Sequence, residues 1–306
     1  MTISVIVPTY NGAHKITNVL SALERQTMHD FNTIVVVDGS TDNTLEVLKN
    51  TNFQLKDLVV IFQENRGRAA VRNKGAKEAK GEFLVFFDDD MRPSPNCLAS
   101  HIIHYRQYPE SIAVGTQIND WAKATTEMQK YRCYFSRKWE KNLIGKHKAV
   151  SELNNGNLYI TAANFSLKRD TFLKLGGFDE RLNDAEDYDF AVRANKSGVP
   201  IFYLPDAYAW HDENYSLASY IRRRKGYVRA HQLLVKLKPE LYQQYTHRKF
   251  GKKRGFKKVV FWFFSLSFWV SSIDKLNLFR WMPAVWRFRL YDLIITSAVI
   301  YFPRRA

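Results

Sequence analysis

The sequence predicts an α/β protein built on a doubly wound, mostly parallel sheet flanked by helices, with a basic helical extension at its C-terminal side. Three observations predict this. Short apolar runs alternate with helical patterns through the first ninety residues. Turn residues stand between them, Asn11-Gly12 after the first run and Asp38-Gly39-Ser40-Thr41-Asp42 after the second. The run Phe83-Leu84-Val85-Phe86-Phe87 then opens directly onto Asp88-Asp89-Asp90. Strands separated by single helices imply parallel βαβ crossovers, and open sheets of that kind bind ligands in the crevice beyond their carboxyl ends.

Strands are expected at about 2–7, 31–37, 57–62 and 83–87, with helices at about 13–27, 41–50 and 66–80 between them. The Asp38–Asp42 turn supplies both turn chemistry and a helix N-cap. From about 94 to 150 the pattern is helical and amphipathic, with a short apolar piece at 112–116. Asn154-Asn155-Gly156-Asn157 marks a loop and Tyr159-Ile160-Thr161 a short strand. Gly176-Gly177 stops a short helix, Asp187 to Asn195 begins another that ends at Gly198-Val199-Pro200, and Ile201 to Leu204 is strand-like. Residues 216–237 read as a long basic helix. Two domains are expected: 1–215, with halves at about 1–92 and 93–215, and a basic, aromatic-rich helical module at 216–306.

A chain of 306 residues with 45% hydrophobic and 25% charged residues buries a full core and excludes a disordered polypeptide. Cys97 and Cys133 stand alone, which argues against a disulfide framework and for a reducing cytosol. Because Ile3 to Val7 already reads as a strand, no secretory leader is expected at the N-terminus. There is no dinucleotide fingerprint, Walker-type loop or internal repeat.

The formal charge of +16 is unevenly placed. Residues 1–220 hold 26 basic and 27 acidic side chains, whereas 221–306 hold 20 basic and 3 acidic. Basic runs occur at Arg222-Arg223-Arg224-Lys225, Arg248-Lys249, Lys252-Lys253-Arg254 and Lys257-Lys258. Such clusters seek polyanions, either nucleic acid or an anionic membrane. The apolar segment from Val259 to Ile273 carries no charge but is shorter than the roughly 20 residues needed to span a bilayer. Leu293 to Phe302 is shorter still. Bordered by Lys and Arg, both suit helices lying in a headgroup interface; a pair of core helices is the alternative.

Three adjacent carboxylates repel one another unless a cation sits among them. Mg²⁺ or Mn²⁺ held by one or two carboxylates takes its remaining ligands from water and phosphates, so the triplet is read as a metal and phosphate address.

Further segments carry a resemblance. They are Val5-Ile6-Val7-Pro8-Thr9-Tyr10-Asn11, Asp38 to Thr44, Gly67-Arg68-Ala69-Ala70-Val71-Arg72-Asn73, Asp88-Asp89-Asp90, Ala163-Asn164, Gly176 to Glu180 and Glu186-Asp187. In this order the chain resembles a family 2 glycosyltransferase with the GT-A fold over roughly residues 3–211. The resemblance implies that Asp88 contacts the ribose of a nucleotide-sugar donor, a UDP-sugar by preference. It implies that Asp90 and His211 hold Mn²⁺ or Mg²⁺ on the diphosphate. By the same resemblance Pro8, Tyr10, Asn11 and Asp38 line the base and ribose site and Arg72 reaches base or phosphate of the donor; Asp89 has no assigned role. Asp187 is the implied base of an inverting transfer and Glu186 orients it or the acceptor.

The resulting expectation is an inverting glycosyltransferase acting on a lipid-linked or cell-surface glycan precursor, as in polysaccharide and cell-envelope synthesis. It is expected in the cytoplasm, peripheral or monotopic on the inner face of an anionic membrane, without a nucleic-acid partner. The alternatives are a nucleic-acid-binding protein using the basic region and an inactive sugar-binding relative.

Overall fold

Side-chain alternation along the first strands decides how the sheet is covered. Successive strand residues face opposite sides, and β1 (Ile3–Thr9), β2 (Asn32–Asp38) and β4 (Phe83–Phe87) are apolar on both. Val5, Val7, Val35, Val37, Val85 and Phe87 enter one core cluster; Ile6, Ile34, Val36, Leu84 and Phe86 enter another. Each face therefore needs a layer of helices. The first core is closed by α1 (Ile16–Glu24), α2 (Thr44–Asn50) and α4 (Cys97–Gln107). The second is closed by α3 (Arg68–Glu78), α6 (Arg169–Lys174) and α7 (Glu186–Lys196). Helix α3 approaches β1 so closely that a Cβ on Gly75 would meet Ile6 Cγ2 at 2.5 Å.

The computed structural model describes residues 2–144, 150–153, 157–182, 184–242 and 255–304, without the side chains of 143 and 144. Most of the Asn154–Asn157 loop and the basic runs Arg248-Lys249 and Lys252–Arg254 lie outside the described residues.

Among the described residues the sheet has nine strands. The remaining ones are β3 (Leu58–Gln63), β5 (Met91–Pro93), β6 (Ile112–Ile118), β7 (Ser151–Leu153), β8 (Asn164–Lys168) and β9 (Ile201–His211). Their order is β3-β2-β1-β4-β8-β6-β9-β5, with β7 also pairing β9. The β1–β2, β2–β3, β1–β4 and β6–β9 pairs are parallel. Strand β8 runs antiparallel to β4 and β6, and β5 and β7 antiparallel to β9. The arrangement is the doubly wound, mostly parallel α/β sheet that the alternation of elements predicts.

Two local expectations need correction. Tyr159–Thr161 forms no strand; Ile160 is buried without entering a ladder, and the strand begins at Asn164, where β4 supplies a partner. Strand β5, which contains Pro93, was invisible because only its pairing with Ala209, Trp210 and His211 makes it a strand.

Two compact units divide the chain: Met1–Asp120 with Phe135–Glu213, and Trp121–Tyr134 with Asn214–Ala306. The sheet lies in the first. Helix α5 (Glu127–Ile144) is divided between them, its residues up to Tyr134 counting with the second. The second unit also holds α8 (Leu217–Leu237), α9 (Pro239–Tyr242), α10 (Phe256–Phe264), α11 (Ser267–Asp274) and α12 (Ala284–Thr296). Ser216 caps α8 by accepting from the Ser219 amide at 3.1 Å, and Asp274 accepts from the amides of Leu217 and Ala218 at 2.7 and 2.9 Å.

The apolar run Leu293–Phe302 is not a headgroup-interface segment, contrary to expectation. Ile294, Ile295, Ala298 and Val299 are buried, so this run fills the second unit's own core. The other run breaks after Phe264 into α10 and α11. Among the described residues no single helix is long and apolar enough to cross a membrane; α10 and α11 together pass by length and composition, bent by 43°.

Candidate active site

The carboxyl ends of β1, β2 and β4 carry Tyr10, Asn11, Asp38 and Asp88 to one edge of the sheet, where parallel α/β sheets bind their ligands. Pro8 is buried inside β1, and Tyr10, just beyond its end, is 49% exposed. Asn11 takes a left-handed conformation, φ 48°, which Asn tolerates better than most side chains. Its amide donates to Ser40 Oγ at 3.0 Å, and its Oδ1 accepts from the Thr41 amide at 2.8 Å. Asn11 thereby laces the loop after β1 to the loop after β2.

Asp38, at the end of β2, is buried and fully engaged in shaping the crevice. Its Oδ1 accepts from Gln63 Nε2 at 2.6 Å and from the Arg66 amide at 2.9 Å, while Oδ2 accepts from the Gly67 amide at 2.9 Å. The carboxylate thus fixes the entry to α3, leaving one lone pair of Oδ2 for a further donor.

The three aspartates after β4 diverge. Asp89 turns inward, accepting from Thr9 Oγ1 at 2.6 Å and pairing with Lys15 Nζ at 2.8 Å. Burial pushes its carboxyl up to about 6, although Lys15 opposes the shift. A Cβ on Gly12 would lie 2.0 Å from Thr9 Oγ1 and 2.9 Å from Asp89 Oδ2, so only glycine leaves room for this lock. Asp89 is a brace for the loop, a role that adjacency in sequence could not separate from ligand binding.

Asp88 points to Arg72, whose Nη2 donates to Asp88 Oδ1 at 2.5 Å. Nη1 of the same guanidinium donates to Glu186 Oε1 at 3.0 Å. Arg72 is only 3% exposed and stands 5.9 Å from the centroid of the Phe178 ring. Burial alone would favour loss of its proton, but Asp88 and Glu186 outweigh burial and raise its pKa. Glu186 Oε2 is buried with no hydrogen-bond partner among the described residues. An orphaned buried acceptor costs about 1–3 kcal/mol.

Glu186 and Asp187 form the first turn of α7, where the helix dipole favours negative charge. Even so, the Asp187 carboxyl is pushed up to about 7, first by burial and then by Glu186, against the opposing effects of the Tyr188 amide and Arg72. The Tyr188 amide donates to Asp187 Oδ1 at 2.7 Å. A carboxylate whose proton affinity lies near neutrality is matched to general-base work.

Asp90 and His211 are brought together by the β5–β9 pairing, in which Met91 stands opposite His211. His211 Nε2 lies 3.3 Å from Asp90 Oδ1, and Nδ1 lies 3.4 Å from Glu213 Oε1. A carboxylate behind the far nitrogen of an imidazole is the usual second partner of a metal-binding histidine. No group of three or more His, Cys, Asp or Glu capable of holding a metal occurs among the described residues. One carboxylate and one imidazole nevertheless fit Mn²⁺ or Mg²⁺ whose remaining ligands are water and phosphate, and the nitrogen suits Mn²⁺ better.

Two neighbours, Glu213 and Arg92, escaped the sequence reading. Glu213 was detectable as the third member of the run His211-Asp212-Glu213. Arg92 stacks 4.6 Å from the centroid of Trp210 and binds Asp120 at 2.9 Å and Asp212 at 3.1 and 3.2 Å, bracing the strand pair that carries Asp90 and His211. Arg66 and Arg68 pair with Glu180 and Asp184, while Asp189 pairs with Arg193 at 2.7 Å.

Comparison with known proteins bears on the family and the fold. The model described as Glycosyl transferase family 2 matches residues 4–176. A protein of Haloferax volcanii named glucosyl-dolichyl phosphate glucuronosyltransferase is 29% identical over 206 residues, covering 66% of this chain and 63% of the relative. The chain spans less than two-thirds of the length of this and other curated relatives. Among solved structures, Staphylococcus aureus TarS 1-349 in complex with UDP-GlcNAc has a TM-score of 0.57 at 20% identity, with 98% of this chain and 90% of that one covered. The mannosyltransferase PcManGT of Pyrobaculum calidifontis, in complex with GDP-Man and Mn²⁺, has a TM-score of 0.61 at 19% identity, with 97% and 86% covered. Both structures share the fold.

Proposed function

Because this chain belongs to glycosyl transferase family 2, we propose that it is an inverting glycosyltransferase. It moves one sugar from a nucleotide-diphosphate donor, a UDP-sugar by preference, to a hydroxyl of a lipid-linked or cell-surface glycan precursor at the cytoplasmic membrane face. The observation that carries this reading is the Arg72 bridge between Asp88 and Glu186, with Asp187 next in the chain. It joins a strand-end carboxylate of the donor crevice to the carboxylates at the start of α7. The ligands named for TarS and PcManGT, UDP-GlcNAc and GDP-Man, support a nucleotide-sugar donor. The name of the Haloferax relative supports a lipid-linked acceptor.

In this mechanism Tyr10, Pro8, Asn11 and Asp38 shape the base and ribose site, with Tyr10 stacking on the base and the spare lone pair of Asp38 Oδ2 accepting from it. Asp88 accepts from a ribose hydroxyl, and Arg72 holds Asp88 ready to do so. Asp90 and His211 would hold Mn²⁺ or Mg²⁺, which supplies Lewis-acid stabilisation of the diphosphate leaving group. Asp187 takes the proton of the acceptor hydroxyl as its oxygen bonds to the anomeric carbon and the bond to the diphosphate breaks. Attack from the face opposite the leaving group inverts the anomeric centre. Glu186, anchored through one oxygen by Arg72, offers Oε2 to orient the acceptor.

A screen of nucleotide sugars for release of nucleoside diphosphate, with Mn²⁺ or Mg²⁺, tests the proposal. Metal-dependent release from at least one nucleotide sugar is expected; no release from any would contradict it.

A further inference from the structure

The second unit exposes an aromatic edge whose accessible charges have one sign. Residues 255–304 contain only two acids, Asp274 and Asp292. Both are occupied internally: Asp274 binds the amides that start α8, and Asp292 Oδ1 accepts from Tyr131 Oη at 2.5 Å. The basic residues are placed differently. Arg287 is buried against Glu127, which Arg280, itself exposed, approaches at 3.8 Å, and Lys257, Lys258, Lys275 and Arg289 lie in exposed positions.

Large apolar side chains stand in the open among these cations. Phe256 is 81% exposed, Trp281 83% and Leu276 65%, and Phe268 and Trp286 are exposed as well. Of these, Phe268 meets Trp269 at 5.7 Å between ring centroids, and Trp269 in turn meets Phe263 at 5.2 Å and Phe279 at 5.9 Å, so rings of α10, α11 and the connector to α12 touch. The Arg289 guanidinium lies over the Trp286 ring, 5.2 Å from its centroid. Scattered apolar residues on a surface need no explanation, but a connected aromatic patch does.

We propose that this edge, formed by α10, α11, the connector 275–283 and the start of α12, seats the protein shallowly in an anionic phospholipid bilayer. Phe256, Phe268, Leu276, Trp281 and Trp286 enter the acyl boundary, and Lys257, Lys258, Lys275, Arg280 and Arg289 meet lipid phosphates. Indole and phenyl rings combined with flanking cations match the headgroup region, where an apolar body and a polar rim are satisfied together. A protein surface would satisfy the rings but leave five like charges crowded, and a nucleic-acid groove would satisfy the charges but leave Phe256 and Leu276 in water. The proposal deepens the membrane part of the reading above, and rests on the geometry of the second unit alone.

The test uses the full chain with vesicles of phosphatidylcholine alone or with three-tenths phosphatidylglycerol. Binding should favour the anionic vesicles and be weakened, not abolished, by 0.5 M salt, with a blue shift of tryptophan emission that persists. Replacing Trp281 and Trp286 with Ser should remove most of the salt-resistant binding. Replacing Lys257 and Lys258 with Gln should cut the salt-sensitive binding by about fivefold per charge. Release of nucleoside diphosphate without vesicles should be unchanged in both variants, which separates failure of this proposal from failure of the glycosyltransfer reading. Equal binding to both vesicle types, salt-abolished binding to oligonucleotides without vesicle binding, or concentration-dependent dimers lost on Trp281→Ser would each overturn it.

Discussion

The guanidinium of Arg72 reaches Glu186 across 114 positions of sequence, Nη1 to Oε1 at 3.0 Å, with both side chains almost wholly buried. One residue of α3 therefore sets the start of α7. Replacing Arg72 with Met leaves Glu186 buried without its counter-charge, a loss of about 3–5 kcal/mol in stability. Arg72→Lys keeps the charge but not the two-pronged geometry, so it should fold and still lose roughly tenfold or more in transfer. Chemical denaturation and kcat/KM read the two effects; a Met variant as stable as the parent would show that the bridge carries little.

Metal preference follows from the nitrogen of His211. His211→Ala should weaken Mn²⁺ binding more than Mg²⁺ binding, because Mg²⁺ gains less from an imidazole, whereas Asp90→Asn should weaken both. Calorimetric titration in the presence of a nucleoside diphosphate measures each affinity. Identical losses for the two metals in His211→Ala would remove the imidazole from the ligand set.

Asp187 links pH to both rate and stability. Its folded pKa, about 7, lies above the unfolded value of about 4. The base works only when deprotonated, so transfer should rise with pH along a limb centred near 7, and Asp187→Asn should abolish transfer. For stability the sign is opposite: the contribution of the protonated carboxyl is complete below about pH 4 and is lost as pH climbs through about 7. Asp187→Asn should flatten that part of the stability profile, and unchanged profiles in the variant would assign the titration elsewhere.

Gly12→Ala should disturb the site without touching any proposed reactive group. The added methyl meets Thr9 Oγ1 and Asp89 Oδ2, so the loop after β1 must shift or Asp89 must lose its donor, at about 1–3 kcal/mol. A weaker donor affinity with an intact fold by circular dichroism is expected. Parent-like affinity would mean that the Thr9–Asp89 lock does not position the crevice.

How much of this was legible depended on the range of the information needed. Strands β1, β2 and β4 announce themselves because each is a local apolar run, and the helices between them imply parallel pairing. Strands β5 and β8 do not, since partners far away in sequence define them. Motif residues were easier to find than their work. Asn73 joins the family-like run at 67–73, yet its side chain clasps both backbone groups of Phe178, donating at 2.8 Å and accepting at 2.9 Å. Asn164 similarly donates to the carbonyls of Thr116 and Ala207 at 3.1 and 2.9 Å. The resemblance assigned Asp88 and Asp90 and left Asp89 without a role; the structure turns Asp89 inward, onto Thr9 and Lys15.

Comparing the parent chain with Asp187→Asn on one active nucleotide sugar, with Mn²⁺ present and product followed by NMR, tests the central claim most directly. The parent is expected to yield a product of inverted anomeric configuration, and the variant to bind the donor with parent-like affinity and form no product. A retained configuration, or transfer by Asp187→Asn within a few fold of the parent, would contradict it.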